Sequence, residues 1–138
     1  MKNRNLWIVL VLAVMAPVFL AGCFESPEPE ENNNGEEMEL SGELEDGWRV
    51  VEVEAFQFGF DPEKIVVRQG EDVRLKALST DVPHGIGIEA LDIDRTLDPG
   101  EEEIIEFTAE TAGEFHIHCT VYCGAGHGDM HAELKVLE

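Results

Sequence analysis

Positive charge is scarce in this sequence. Its 138 residues include nine Lys and Arg against 30 Asp and Glu, a formal net charge of −21. A surface of that sign excludes nucleic acid as a partner, because it would repel phosphate rather than neutralise it. No segment carries a long helical period and no internal repeat is visible, which excludes helical bundles and solenoids. Cysteine is limited to three residues. Cys23 lies near the N-terminus, apart from Cys119 and Cys123. A disulfide closed over three intervening residues is tight for the required geometry. The length suffices for one domain and not two.

The one long apolar run lies at the start of the chain. Lys2 and Arg4 form a positive segment, residues 6–20 are apolar, and Leu20-Ala21-Gly22-Cys23 follows. That order resembles a lipoprotein signal, with residues 1–22 removed and Cys23 lipidated. The alternative is an uncleaved single transmembrane helix, but the run is short for a span and Pro17 interrupts it. Either reading tethers the remainder on the outer face of the cytoplasmic membrane or in the periplasm. Residues 24–47 hold ten acids and no base, together with Pro27, Pro29 and three consecutive Asn. This composition predicts an acidic, disordered linker over 23–47 and a folded domain over 48–138.

The domain reads as strands. Val51, Val53 and Ala55 alternate with acids, Val73, Leu75 and Ala77 with bases, Phe115, Ile117 and Cys119 with His116 and His118, and Leu134 and Val136 with Glu133 and Lys135. Period-two alternation indicates strands with one buried face. Asp61-Pro62, Gln69-Gly70, Asp98-Pro99-Gly100 and Ala112-Gly113 supply turns between them. Short strands at this spacing predict an antiparallel β-sandwich or barrel.

Residues 119–130, C-T-V-Y-C-G-A-G-H-G-D-M, are the most informative stretch. Cys119, Cys123, His127 and Met130 are soft to borderline donors of the kind that suit copper. One thiolate suffices for a mononuclear copper site. A second, four residues on, allows two thiolates to bridge two metal ions, which points to electron transfer rather than catalysis.

This loop, with His84 in D-V-P-H-G some 35 residues upstream, resembles the binuclear CuA domain of cytochrome oxidase subunit II, within the cupredoxin superfamily. A-F-Q-F-G-F, I-V-V-R-Q-G, L-D-P-G-E and G-E-F-H-I-H-C are similar to the compact subunit II of b-type oxidases. The resemblance implies an all-β, cupredoxin-like Greek-key sandwich or barrel holding two copper ions. Cys119 and Cys123 would bridge both. His84 and Met130 would complete one copper, His127 and the Val121 carbonyl the other. It also implies a donor that is a cytochrome c or small copper protein, and oxidase subunit I as acceptor. Oxygen chemistry would belong to subunit I, so no catalytic site is assigned to this chain.

Two positions depart from the family. Many members carry a glutamate where Val121 stands, and its carboxylate reaches a magnesium. Valine keeps the carbonyl and loses the carboxylate, which leaves a magnesium link of that kind open. Many also carry a tryptophan-rich stretch that receives the electron, and Phe56, Phe58 and Phe60 occupy that place here. Those rings and Tyr122 are candidates for electron uptake or donor docking, with packing as the alternative. His116, His118 and His131 are read as non-ligands of the centre, and a secondary metal site on the acidic surface is the hypothesis they leave open. Three other functions compete. The same centre could serve a stand-alone, non-oxidase electron carrier. A copper capture or delivery lipoprotein would favour more methionine than Met38 and Met130 provide. A structural zinc site would use two Cys and two His, but would leave Met130 unexplained.

Overall fold

The computed structural model describes residues 38–138. The expected signal segment, Cys23 and linker residues up to 37 lie outside them. The domain begins earlier than Trp48. Asp46 and Gly47 both have positive φ, 49° and 91°, and form a two-residue hairpin turn of the kind Asp-Gly favours. This turn joins β1 (Glu43–Glu45) to β2 (Trp48–Phe56), with Glu45 opposite Trp48. Ser41 anchors the segment further. Its N–H donates to the Val66 carbonyl at 2.8 Å, and its Oγ accepts from the Val66 N–H at 2.9 Å. The high acid content suggested a linker, but all three residues of β1 are exposed. Acids on an exposed edge strand keep their hydration and discourage intermolecular pairing.

Two five-stranded sheets form the sandwich. In the first, β1, β2, β5 (Asp72–Ser79) and β8 (Glu102–Thr108) follow in that order, and β3 (Gly59–Asp61) also pairs with β2. In the second the order is β4 (Lys64–Arg68), β10 (His131–Leu137), β9 (Gly113–His118), β6 (His84–Ile88) and β7 (Ile93–Leu97). The sheets are mixed, which corrects the antiparallel expectation. β2 runs parallel to β5 from Trp48↔Asp72 to Ala55↔Ser79, and β4 runs parallel to β10. Alternation reports which face is buried and says nothing of strand direction. Parallel neighbours need a long crossover, and between β2 and β5 the chain supplies one by passing through β3 and β4.

The alternating residues enter one core. Val51, Val53, Leu75, Ala77, Ile117, Leu134 and Val136 all belong to it, joined by Phe60, Ile65, Val67, Ile86, Ile88 and Leu97. β6 departs from alternation because all five of its residues are buried. The space beside Gly85 and Gly87 is filled by Thr120 and its neighbours.

An ion pair fastens the end of the first sheet opposite this packing. Glu71 accepts from Arg49 Nη2 at 2.7 Å and from the Arg68 N–H at 2.9 Å. The two side chains are only 12% and 18% exposed. Burial acts to raise the Glu71 pKa, but the Arg49 guanidinium and the Arg68 N–H outweigh it and hold it below 4.5. A lowered carboxylate pKa stabilises the fold above the ordinary value and loses that contribution as pH falls through the lowered one. Glu71→Ala should therefore cost about 1.5–3 kcal/mol at neutral pH. Urea melts at stepped pH should show the difference from wild type shrinking below pH 4.5.

Candidate metal centre

Strand order brings the candidate ligands together. β10, β9 and β6 are consecutive neighbours. Cys119 lies just past the end of β9, Met130 just before β10, and His84 opens β6. Gly87 pairs with His118 in the antiparallel β6–β9 ladder. Continuing that register sets His84 alongside the start of the 119–130 loop. The loop is closed at its base by the Cys119 N–H donating to the Met130 carbonyl at 3.2 Å. Inside it, the Met130 N–H donates to the His127 carbonyl at 3.2 Å, closing a short 3-10 turn over His127–Asp129.

The donor atoms converge. Cys119 Sγ and Cys123 Sγ are 3.9 Å apart. Cys119 Sγ lies 3.8 Å from His84 Nδ1 and 3.1 Å from the Val121 carbonyl oxygen. Cys123 Sγ lies 3.8 Å from His127 Nδ1 and 3.7 Å from Met130 Sδ. The ligand atoms of His84, Cys119 and Cys123 all fall within 4.8 Å of one another. His84 is completely buried, and Cys119, Cys123 and Met130 nearly so. All six sequence-nominated groups thus meet at one end of the sandwich. Burial, reinforced by the neighbouring Cys119, pushes the Cys123 thiol above its ordinary value. A cation entering the site must therefore displace protons. Two sulfurs, two imidazoles, a thioether and a carbonyl, with no carboxylate among them, fit a soft metal such as copper.

Two residues that the sequence did not nominate hold the centre in place. Asp81 Oδ1 lies 2.7 Å from His84 Nε2. An Nε2–H donated to this carboxylate leaves the Nδ1 lone pair facing the sulfurs, the outer-shell arrangement typical of metal-bound histidine. Asp81 also accepts from the Gln57 N–H at 2.7 Å and the Val82 N–H at 2.6 Å. Desolvation works against its charged form, yet these donors together hold its pKa below the usual 3.8. The Gln57 side-chain amide reaches across and donates to the Cys123 carbonyl. Gln57 therefore links the buttress of His84 to the cysteine loop. The available signal was the placement of Asp81 three residues before His84.

Close backbone packing sets the position of the loop. A Cβ on Gly85 would come within 2.0 Å of Thr120 Oγ1 and 2.9 Å of the Val121 N. Thr120 Oγ1 also donates to Asp94 Oδ1 at 2.7 Å, tying the loop to β7. Gly85→Ala should displace the loop, lowering stability by about 1–3 kcal/mol. Thermal melts would record the lost stability, and a copper titration the weaker binding expected once the loop that carries Cys119 and Cys123 is displaced.

The aromatic candidates separate. Phe60 is 1% exposed and sits in the core, because its pairing opposite Ala55 turns it inward. It is withdrawn from any docking surface. Phe56 and Phe58 are 39% and 40% exposed, and Tyr122 is 77% exposed. Phe58 lies against the loop, so close that a Cβ on Gly126 would meet its ring at 2.5 Å. The Tyr122 and His127 ring centres are 5.6 Å apart. His116, His118 and His131 are not among the converging groups.

A family model described as a cupredoxin-like domain matches residues 13–134. The chain belongs to this cupredoxin family. Two sequences named cytochrome c oxidase subunit 2, both from Thermus thermophilus, are 40% identical to it over 88 residues, or 64% of this cupredoxin. The chain spans 65% of the length of one and 52% of the other. Among solved structures, a haem-copper terminal oxidase dimer matches with a TM-score of 0.63 and 25% identity, covering 73% of each chain. The periplasmic domain of oxidase subunit II from Bradyrhizobium japonicum shares the fold, with a TM-score of 0.61 and 18% identity over 73% of this chain and 88% of its own.

Proposed function

We propose that this cupredoxin is the electron-accepting domain of a cytochrome c oxidase, of the subunit II type, with a binuclear copper centre. The observation that carries the reading is the pair of sulfurs 3.9 Å apart, each with an imidazole Nδ1 at 3.8 Å. Cys119 and Cys123 would bridge two coppers, with His84 and Met130 completing one and His127 and the Val121 carbonyl the other. A copper pair held by these residues would supply one-electron transfer with little rearrangement on gaining or losing the electron. The protein's part is to hold the donors rigidly. Asp81 fixes the His84 ring, Gln57 fixes the Cys123 carbonyl, and burial excludes water.

The donor would be a basic cytochrome c or small copper protein. It would be drawn by the acidic surface and seated on Phe56, Phe58 and Tyr122. The acceptor would be oxidase subunit I. Residues 1–22 would be removed as a lipoprotein signal, and lipidated Cys23 would anchor the domain outside the cytoplasmic membrane through the acidic segment before Ser41. Among the described residues, no helix is long and apolar enough to cross a membrane. Burial of the donors weighs against copper delivery, which needs ligands that a recipient can reach. The Met130 thioether, 3.7 Å from Cys123 Sγ, has no place in a Cys2His2 zinc site.

The test is copper loading of the full-length chain, with metal counted per chain and visible and EPR spectra recorded. Two coppers with a multiline signal from one shared electron are expected. One copper with a four-line signal would overturn the binuclear reading.

A further inference from the structure

We propose that His116, His118 and His131 form a second metal site, for a divalent cation of borderline character such as Zn2+, on the outer face of the second sheet. Their neighbours in sequence point inward: Cys119 follows His118, and Met130 precedes His131. Alternation turns the histidines to the opposite face from the buried centre. In the β9–β10 register His118 is directly opposite His131, and His116 is opposite Glu133. Directly opposed residues place their Cβ atoms about 4.5–5.5 Å apart, and His116 stands two residues along the same face. Three imidazoles therefore occupy three corners of one four-residue patch, with a carboxylate at the fourth.

The rings already associate. His116 stacks on His118 with centres 5.8 Å apart and planes 8° from parallel, and its centre is 5.6 Å from that of His131. His116 and His131 are exposed and His118 is half-buried. Zn–N bonds of about 2.0–2.1 Å require the rings to close together: the His118 ring rests against Gly87, and the exposed His116 and His131 rings would turn toward it. Glu133, opposite His116, and Glu114, two residues before it, are each paired with a lysine. Lys64 Nζ lies 2.6 Å from Glu133, and Lys135 Nζ 2.7 Å from Glu114. The imidazoles are thus the donors left for a cation, and Asp129, which lines the same open cleft as His116 and His131, can supply an oxygen. The surrounding acidic field raises the local cation concentration.

Zn2+ is the probe, because it is spectroscopically silent. Titrated calorimetrically into the full-length chain loaded with two equivalents of copper and no excess, it should bind at one site and leave the copper spectrum unchanged. Losing even an outer-shell partner lowers metal affinity about 10–100-fold. His116→Gln and His131→Gln should therefore each weaken Zn2+ binding at least about tenfold, with the copper count unaltered. The Cys119→Ser/Cys123→Ser chain should keep the Zn2+ site, so the outcome stands apart from that of copper loading. Zn2+ affinity unchanged in both histidine variants, no binding to the copper-loaded chain, or binding lost with the cysteines would overturn the proposal.

Discussion

Cys123→Ser is expected to leave a folded sandwich without a two-copper centre. Cys123 Sγ lies 3.7–3.9 Å from Met130 Sδ, His127 Nδ1 and Cys119 Sγ, so its removal touches three other donors at once. Serine has nearly the same shape but offers a hard, weakly acidic oxygen in place of a polarisable thiolate, and copper discriminates strongly between the two. The fold should tolerate the exchange. The site is at one end of the sandwich, and a buried hydroxyl with imperfect partners costs about 1–3 kcal/mol. Copper should fall from two per chain to one or none, and any remaining EPR signal should be that of an electron on a single nucleus. The control is Met130→Leu, which fills the same space and keeps both thiolates. It should retain two coppers and the multiline signal. A mixed-valence spectrum persisting in Cys123→Ser would remove the bridging role from this residue and, with it, the reading of the loop as a two-metal site.

That loop was legible in the sequence because its chemistry is local. Four donors within twelve residues need only the loop closure at Cys119 and Met130 to meet. His84 is different. Its approach to Cys119 depends on the β6–β9 pairing, which no pattern within either strand encodes, and a family resemblance supplied what spacing could not. Asp81 and Gln57 had no such help. Each acts through a contact made by tertiary folding, and Gln57 reaches a carbonyl 66 residues away. The fold divides along the same line. β2, β5, β9 and β10 alternate because each has one wet face. β6 does not, because the 119–130 loop covers the face that its glycines open, and the cue of alternation vanishes where the site is built. β1 was missed for the opposite reason: with no buried face its residues read as solvated charge, and the Asp46-Gly47 turn was the only signal of a hairpin.

Asp81→Ala should weaken the centre more than it weakens the fold. Three donors lose their acceptor: the Gln57 N–H, the Val82 N–H and His84 Nε2. Both backbone groups are at the surface and can turn to water. The Asp81 side chain is itself 34% exposed, so solvent can partly refill its place, and the stability loss should be about 1 kcal/mol. His84 loses more, because its buried ring is no longer held in the tautomer and orientation that direct Nδ1 at the sulfurs. Copper affinity should drop about 10–100-fold. The reduction potential should rise, because removing a negative charge close to the metals disfavours their more positive, oxidised state. Asp81→Asn separates the two effects. The amide oxygen can still accept a hydrogen bond, so affinity should be partly retained, while the charge is absent and the potential should still rise. If Asp81→Ala keeps both wild-type affinity and wild-type potential, the carboxylate merely fastens the turn before β6, and the orientation of His84 is fixed by the packing of its ring alone.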